Sequence, residues 1–297
     1  MSECAGKFYL AGAFILAGTS VVSMKYLAIF LGPFTIISVS LIISIISVGA
    51  FCFGNISRNL RVMDRRAWLM IVLQATFGIF IFRLLLLAGL NRTSAGEAGL
   101  LTGAVPAITA FLALTILKER LSRLSALGIL GTVAGIAVLN GRIDGGFHQH
   151  LWGNLMILGA AASESIFNIC SRLSWLDTKT AALHPLSRTV LVSGLALLFC
   201  LLPAYLENPL TSLRGLEFSG WLALVWQGLF VTIVSYCFWF AGIKRCEACT
   251  AAAFSGLMPL SAVAFSILLL GEALVWRQMA GGLLILTGMS MLAARRS

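Results

Sequence analysis

Arg83 and Glu164 are charges that lie well inside apolar runs, at 67–90 and 151–172. A guanidinium presents a rigid fork of donors that matches a carboxylate, and a carboxylate pairs with an amine. Either charge at membrane depth costs about 2.5–3.5 kcal/mol on insertion scales, so both are candidates for function. At 1.5 Å of rise per residue, Arg83 lies roughly 7 Å to one side of the middle of its run and Glu164 roughly 4 Å to the other. The gap, on the order of 11 Å along the axis, suits either an ion pair between two extended side chains or a zwitterion held between them, carboxylate on Arg83 and amine on Glu164. Asn168 lies one turn beyond Glu164 and is placed to hold it by hydrogen bond. A carboxyl group in a desolvated cavity can take up and release a proton near neutrality, which makes Glu164 the candidate for proton coupling.

The elements that must carry these residues are long and greasy. Of 297 residues, 59% are hydrophobic and 11% charged, against about 25% charged in soluble domains. Mean hydropathy is +0.98. Ten runs are long enough to span hydrocarbon: about 7–28, 33–53, 67–90, 97–117, 121–139, 151–172, 184–206, 219–242, 249–270 and 273–293. Net charge is +10, yet the basic residues sit in short connections between runs, so membrane orientation explains them better than nucleic acid does. With the N-terminus cytoplasmic, fifteen Lys and Arg face inside and five outside. The positive-inside rule therefore puts both termini in the cytoplasm.

The second half repeats the first. A shift of 153 residues lays 88–139 on 241–292 without a gap and matches 14 of 52 columns, among them Arg92/Arg245, Gly103/Gly256, Pro106/Pro259, Glu119/Glu272, Gly128/Gly281 and Gly135/Gly288. Five runs per half is odd, so the second half enters from the opposite face. That defines an inverted repeat, an architecture many secondary transporters use. The expected fold is all-α, with residues 1–140 and 151–297 as two inverted five-helix repeats. Pro106 and Pro259 break the fourth and ninth helices near their middles and free the carbonyls of Thr102 and Ser255, in one repeat column. Such breaks either line a substrate site or serve packing, with the hydroxyls satisfying the backbone. Tyr236 occupies the column of Arg83, and Trp239 follows on the same side. Trp226 and Gln227 are further candidates, and Thr19, Ser20 and Ser23 offer hydroxyls on the first helix. Glu119 and Glu272, at helix ends, are read as local caps.

These repeated segments carry a resemblance. The runs AGLNRTSAGEAGLLTGAVPAITAFLALTILKERLSRLSALGILGTVAGIAVL and AGIKRCEACTAAAFSGLMPLSAVAFSILLLGEALVWRQMAGGLLILTGMSML resemble the two signature halves of the EamA family, in the drug/metabolite transporter superfamily. The shared pattern is a Thr-Ser-Ala helix start, a mid-helix Pro, a Glu-Arg turn and a Gly-spaced last helix; Leu270-Gly271-Glu272 fits the second copy. The sequence departs from the family pattern at Ala17-Gly18-Thr19, where many members have Trp-Gly, and at Glu97. The resemblance implies ten helices, cytoplasmic termini and a cavity lined by helices 1, 3, 4, 6, 8 and 9. It places helices 5 and 10 at the periphery or at a homodimer contact. It also implies movement of amino acids and other metabolites, often outward, across a bacterial inner membrane.

Other chemistry finds little support. Cys246-x-x-Cys249 has no second pair for a metal site, and His148 and His150 lack further ligands. No P-loop, HExxH or GxSxG motif occurs. No cofactor, metal or nucleic acid is expected. The expected partners are a small polar substrate, the bilayer and, through Glu164, a proton. The alternatives are uptake or exchange of a larger nucleoside- or nucleotide-type metabolite, and a non-transporting membrane enzyme or scaffold.

Overall fold

The computed structural model describes residues 3–60, 63–90, 92, 101, 104–118, 122–140, 151–176, 184–270 and 276–293. Among them every regular element is helical. In chain order these are α1 (Glu3–Leu27), α2 (Pro33–Leu60), α3 (Arg65–Ala75), α4 (Phe82–Leu90), α5 (Val105–Leu112), α6 (Arg123–Asn140), α7 (Leu151–Leu176), α8 (Pro185–Leu206), α9 (Pro209–Arg214), α10 (Phe218–Trp226), α11 (Ser235–Ile243), α12 (Ala248–Phe254), α13 (Leu257–Leu270) and α14 (Trp276–Ala293). Of three π-helical stretches among the described residues, Thr76–Ile81 carries α3 into α4, Ala113–Leu117 follows α5, and Gln227–Val234 carries α10 into α11.

Four spans are long and apolar enough to cross a membrane: Glu3–Met24, Arg65–Leu86, Pro185–Leu206 and Phe218–Ile243. Large apolar side chains such as Ile46, Leu202, Phe218 and Leu283 are exposed, as suits a chain whose solvent is hydrocarbon. Helix ends follow local chemistry. The Asp64 carboxylate accepts from the Ala67 N–H at 2.9 Å and starts α3, and Pro185 and Pro209 open α8 and α9. The N-terminus of α2 is capped from a distance. Glu207, at the end of α8, accepts from the N–H groups of Phe34 (3.1 Å) and Thr35 (2.7 Å) and from the Thr35 hydroxyl (2.8 Å).

The two prolines do not sit in the middle of continuous helices. Pro106 lies in the first turn of α5 and Pro259 in the first turn of α13, where a missing N–H loses no helical bond. The chain turns at Ser255–Gly256 between α12 and α13, and the Ser255 carbonyl accepts from the Met258 N–H at 3.0 Å. Thr102 lies outside the described residues, as do Glu97, Glu119, Glu272, His148 and His150.

Packing interleaves the two halves. α1 lies on α11 and α13; α7 lies on α4 and α5; α2 runs along α8, and α6 along α14. The close approaches come in matched pairs. A Cβ built on Gly242 would stand 3.2 Å from the Gly6 carbonyl and run into Leu10, and one on Gly89 would stand 3.1 Å from the Gly153 carbonyl and run into Ile157. Gly18 sits against the carbonyl of Met258, while Ser165 donates to that of Val105, 153 positions earlier. At the α6/α14 seam, a Cβ on Gly135 would meet the Gly281 carbonyl at 2.7 Å and one on Gly288 the Gly128 carbonyl at 2.6 Å. Close backbone approach of this kind requires glycine. The fifth and tenth apolar runs therefore face each other within one chain.

Candidate substrate cavity

A cavity of about 170 Å³ lies between α1, α2 and α11 on one side and α4 and α7 on the other. Arg83 and Glu164 both line it. No ion pair joins them. Arg83 Nη1 reaches the Met24 sulfur at 3.4 Å, a weak acceptor, and its guanidinium lies 5.7 Å from the centre of the Phe82 ring. No protein group hydrogen-bonds the Glu164 carboxyl among the described residues. The cavity thus holds a basic and an acidic side chain on two neighbouring helices, α4 and α7, not bonded to each other.

Two of the π-helical stretches, Thr76–Ile81 and Gln227–Val234, position this chemistry. They fall at the same place in the 153-residue shift, and four cavity pairs sit in shared columns: Gly78/Val231, Ile79/Thr232, Phe82/Ser235 and Arg83/Tyr236. Thr232 Oγ1 donates to the Gln227 carbonyl at 2.8 Å, five residues back, replacing part of the backbone ladder that the wide turn loosens. Such turns re-aim side chains and concentrate at functional sites. Tyr236 lines the cavity with its ring beside Phe167, centroids 6.2 Å apart.

Part of the cavity wall is a cluster of packed aromatic rings. The Trp239 ring stacks on Phe167 (5.7 Å) and meets the edge of Phe14 (5.6 Å), and its Nε1 donates to Ser171 at 3.4 Å. One step further, Arg172 of α7 donates to the Ile243 carbonyl at 3.0 Å and the Lys244 carbonyl at 3.4 Å. A cation at a helix C-terminus satisfies carbonyls that have no helical partner. α12 closes against α5 and α7 on the same side.

The remaining candidates divide. Asn168 lines the cavity, but its Nδ2 donates to Thr109 at 3.3 Å rather than to Glu164. Ser20 lines it as well. Thr19 and Ser23 do not: Thr19 donates to the Leu16 carbonyl at 2.6 Å and accepts from Trp226 Nε1 at 3.0 Å, and Ser23 donates to the Ser20 carbonyl at 3.1 Å. Ser255 stands at the α12–α13 turn and is not part of the lining. Phe14, Phe82, Phe167, Ser40 and Thr232 are lining residues that no motif picked out. Carrying the 153-residue shift upstream of residue 88 would have reached some of them, since Trp68/Trp221, Leu69/Leu222, Gln74/Gln227 and Phe77/Phe230 are identical columns.

Among the described residues, helices with exposed apolar side chains surround a small cavity that holds ionisable groups, as suits a membrane carrier. The model of the EamA-like transporter family matches twice, over residues 5–141 and 151–294, and the chain belongs to that family of membrane transporters. It is 27% identical over 274 residues to an uncharacterized transporter, YetK, of Bacillus subtilis, covering 89% of this chain and 79% of that one. It is 30% identical over 219 residues to a probable amino-acid metabolite efflux pump of Salmonella typhimurium, covering 73% of each. A probable terminal-alkyne amino-acid exporter of Streptantibioticus cattleyicolor is 24% identical over 231 residues, covering 76% and 73%. A solved crystal structure superposes with a TM-score of 0.76 at 21% identity, covering 99% of this chain and 97% of that one, which speaks to the fold alone.

Proposed function

We propose that this chain exports small amino acids or related zwitterions across a bacterial inner membrane by alternating access. In this reading ten membrane helices form two inverted repeats, residues 1–140 and 151–297, with both termini cytoplasmic. Arg83 takes the substrate carboxylate and Glu164 its amine. The observation that carries the reading is that these opposite charges line one cavity without bonding each other. Two charges in a low-dielectric site are stable when paired, and a zwitterion completes both pairs at once.

Size favours a small substrate over the nucleotide-type alternative. A cavity of about 170 Å³ is well below the roughly 300–1,000 Å³ of pockets for drug-sized ligands. The names of two relatives, an amino-acid metabolite efflux pump and an amino-acid exporter, point the same way. The matched contacts of α1 with α11 and of α7 with α4 support the inverted repeat. With the N-terminus inside, the cavity draws on Ala13 to Met24 of α1 and the first third of α2, hence on the middle and outer membrane. The layer of Trp239, Phe167 and Arg172 then seals the cytoplasmic side. Glu164 also carries the proton that couples transport to the gradient. A homodimer, where one forms, has the exposed leucines Leu127, Leu130, Leu283 and Leu286 of α6 and α14 available.

Purified protein in liposomes should exchange a labelled neutral amino acid for the same amino acid outside. The methyl ester, which lacks the carboxylate, and the N-acetyl form, which lacks the amine charge, should compete poorly. Equal competition by all three would overturn the assignment of the charges.

A further inference from the structure

Gln227 opens the π-helical stretch Gln227–Val234 and lines the cavity, with only 5% of its surface accessible. Among the described residues neither end of its amide has a hydrogen-bond partner, and its Oε1 is fully buried. A buried carbonyl oxygen without a donor is costly and rare in native structures. The chain supplies its own comparison. Gln74 holds the same repeat column, is also buried, and donates through Nε2 to the Cys170 carbonyl of α7 at 3.5 Å. Gln74 lies outside the cavity lining. Both amide oxygens are buried without a donor, but Gln74 is held through its nitrogen on a neighbouring helix away from the cavity, while Gln227 has neither end held and lines the same cavity as Arg83 and Glu164.

We propose that Gln227 reads the substrate's side chain, selecting amino acids that end in a hydroxyl or a carboxamide over aliphatic ones of the same shape. An untied amide can turn over about its last bond and present either a donor or an acceptor. A hydroxyl or carboxamide offers both in return. Several of the lining hydroxyls already donate to backbone carbonyls (Ser40 to Ile36, Thr232 to Gln227 and Ser235 to Ala13), whereas the Gln227 amide is committed to none. An aliphatic side chain would leave the Gln227 amide sealed from water with nothing to bond. This specificity rests on the reading that Arg83 and Glu164 hold the zwitterion.

The test uses two pairs of nearly equal shape, threonine against valine and asparagine against leucine, competing for exchange in liposomes containing the full-length protein. Wild type should prefer the polar member of each pair by about tenfold or more, the usual consequence of leaving a buried polar group unpaired. Gln227→Met should bring both ratios close to one while retaining exchange of valine and leucine. Gln74→Met should leave the ratios where they were. A ratio does not depend on how much protein folds, so reduced yield of a variant does not obscure the result. Wild type that carries both members equally, or Gln227→Met that keeps the wild-type ratio, overturns the role of Gln227 alone. Wild type that carries none of the four amino acids overturns the zwitterion reading, and this inference with it.

Discussion

Arg172 fastens α7 to the C-terminal carbonyls of α11, and in the orientation proposed above removing it should open the cytoplasmic side. The Ile243 bond at 3.0 Å has good length and the Lys244 bond at 3.4 Å is long. A hydrogen bond from a charged donor contributes about 1.5–3 kcal/mol. Counting the first bond in full and the second in part, Arg172→Gln weakens the closed cytoplasmic side by about 2–3 kcal/mol. That difference shifts a two-state equilibrium roughly 30–150-fold. The reporter is a cysteine at Ala17, a small cavity residue, in a background without native cysteines. In inside-out vesicles a membrane-impermeant thiol reagent should label it slowly in the parent. Labelling should be at least tenfold faster with Arg172→Gln. Arg172→Lys, which keeps a donor at the helix end, should fall between. Equal labelling in all three proteins would refute the idea that this contact holds the cavity closed to the cytoplasm.

Other outcomes follow from the same geometry. Glu164→Gln should weaken exchange, because the substrate amine loses its partner, and should abolish accumulation driven by a pH gradient; undiminished pH-driven accumulation would assign the proton elsewhere. Gly135→Leu and Gly288→Leu place side chains where a Cβ already lies 2.6–2.7 Å from backbone of the facing helix. Each should lower the melting temperature in detergent as overpacking of about 1–3 kcal/mol or more does, whereas Gly194→Ala, with open space around its Cβ, should not. Glu207→Ala removes three hydrogen bonds at the start of α2. Loss of a helix cap costs about 0.5–2 kcal/mol, which thermal unfolding should register, with Glu207→Gln less affected.

Much of the fold was legible in the sequence because lipid leaves a blunt compositional signature. The runs at 7–28, 67–90, 184–206 and 219–242 match the four apolar spans within a few residues. Arg83, Glu164, Asn168, Tyr236 and Trp239 stand out in the sequence because polar and aromatic residues inside apolar runs are conspicuous, and all five line one cavity. The π-helical stretches were not legible, because Thr76–Ile81 and Gln227–Val234 differ from ordinary helix only in their hydrogen-bond register. The prolines were legible as breaks but not as starts of new segments, since that depends on the turn at Ser255–Gly256. Thr19 and Trp226 are 207 positions apart and bond each other; no local pattern announces that pairing. The first and sixth helices hid their correspondence too. Gly6 and Leu10 occupy the places of Gly153 and Ile157, a shift of 147 rather than 153, and the difference equals the six residues of α9.

The central claim is that Arg83 and Glu164 grip opposite ends of one zwitterion, and matched removal of charge tests it most directly. Exchange would be measured for wild type and Arg83→Gln, each with a neutral amino acid and with its methyl ester. Wild type should favour the free amino acid strongly. Arg83→Gln should treat the two alike, because the carboxylate has lost its partner, while still rejecting the N-acetyl form through Glu164. Arg83→Gln protein that keeps the full wild-type preference for the free carboxylate would contradict the account.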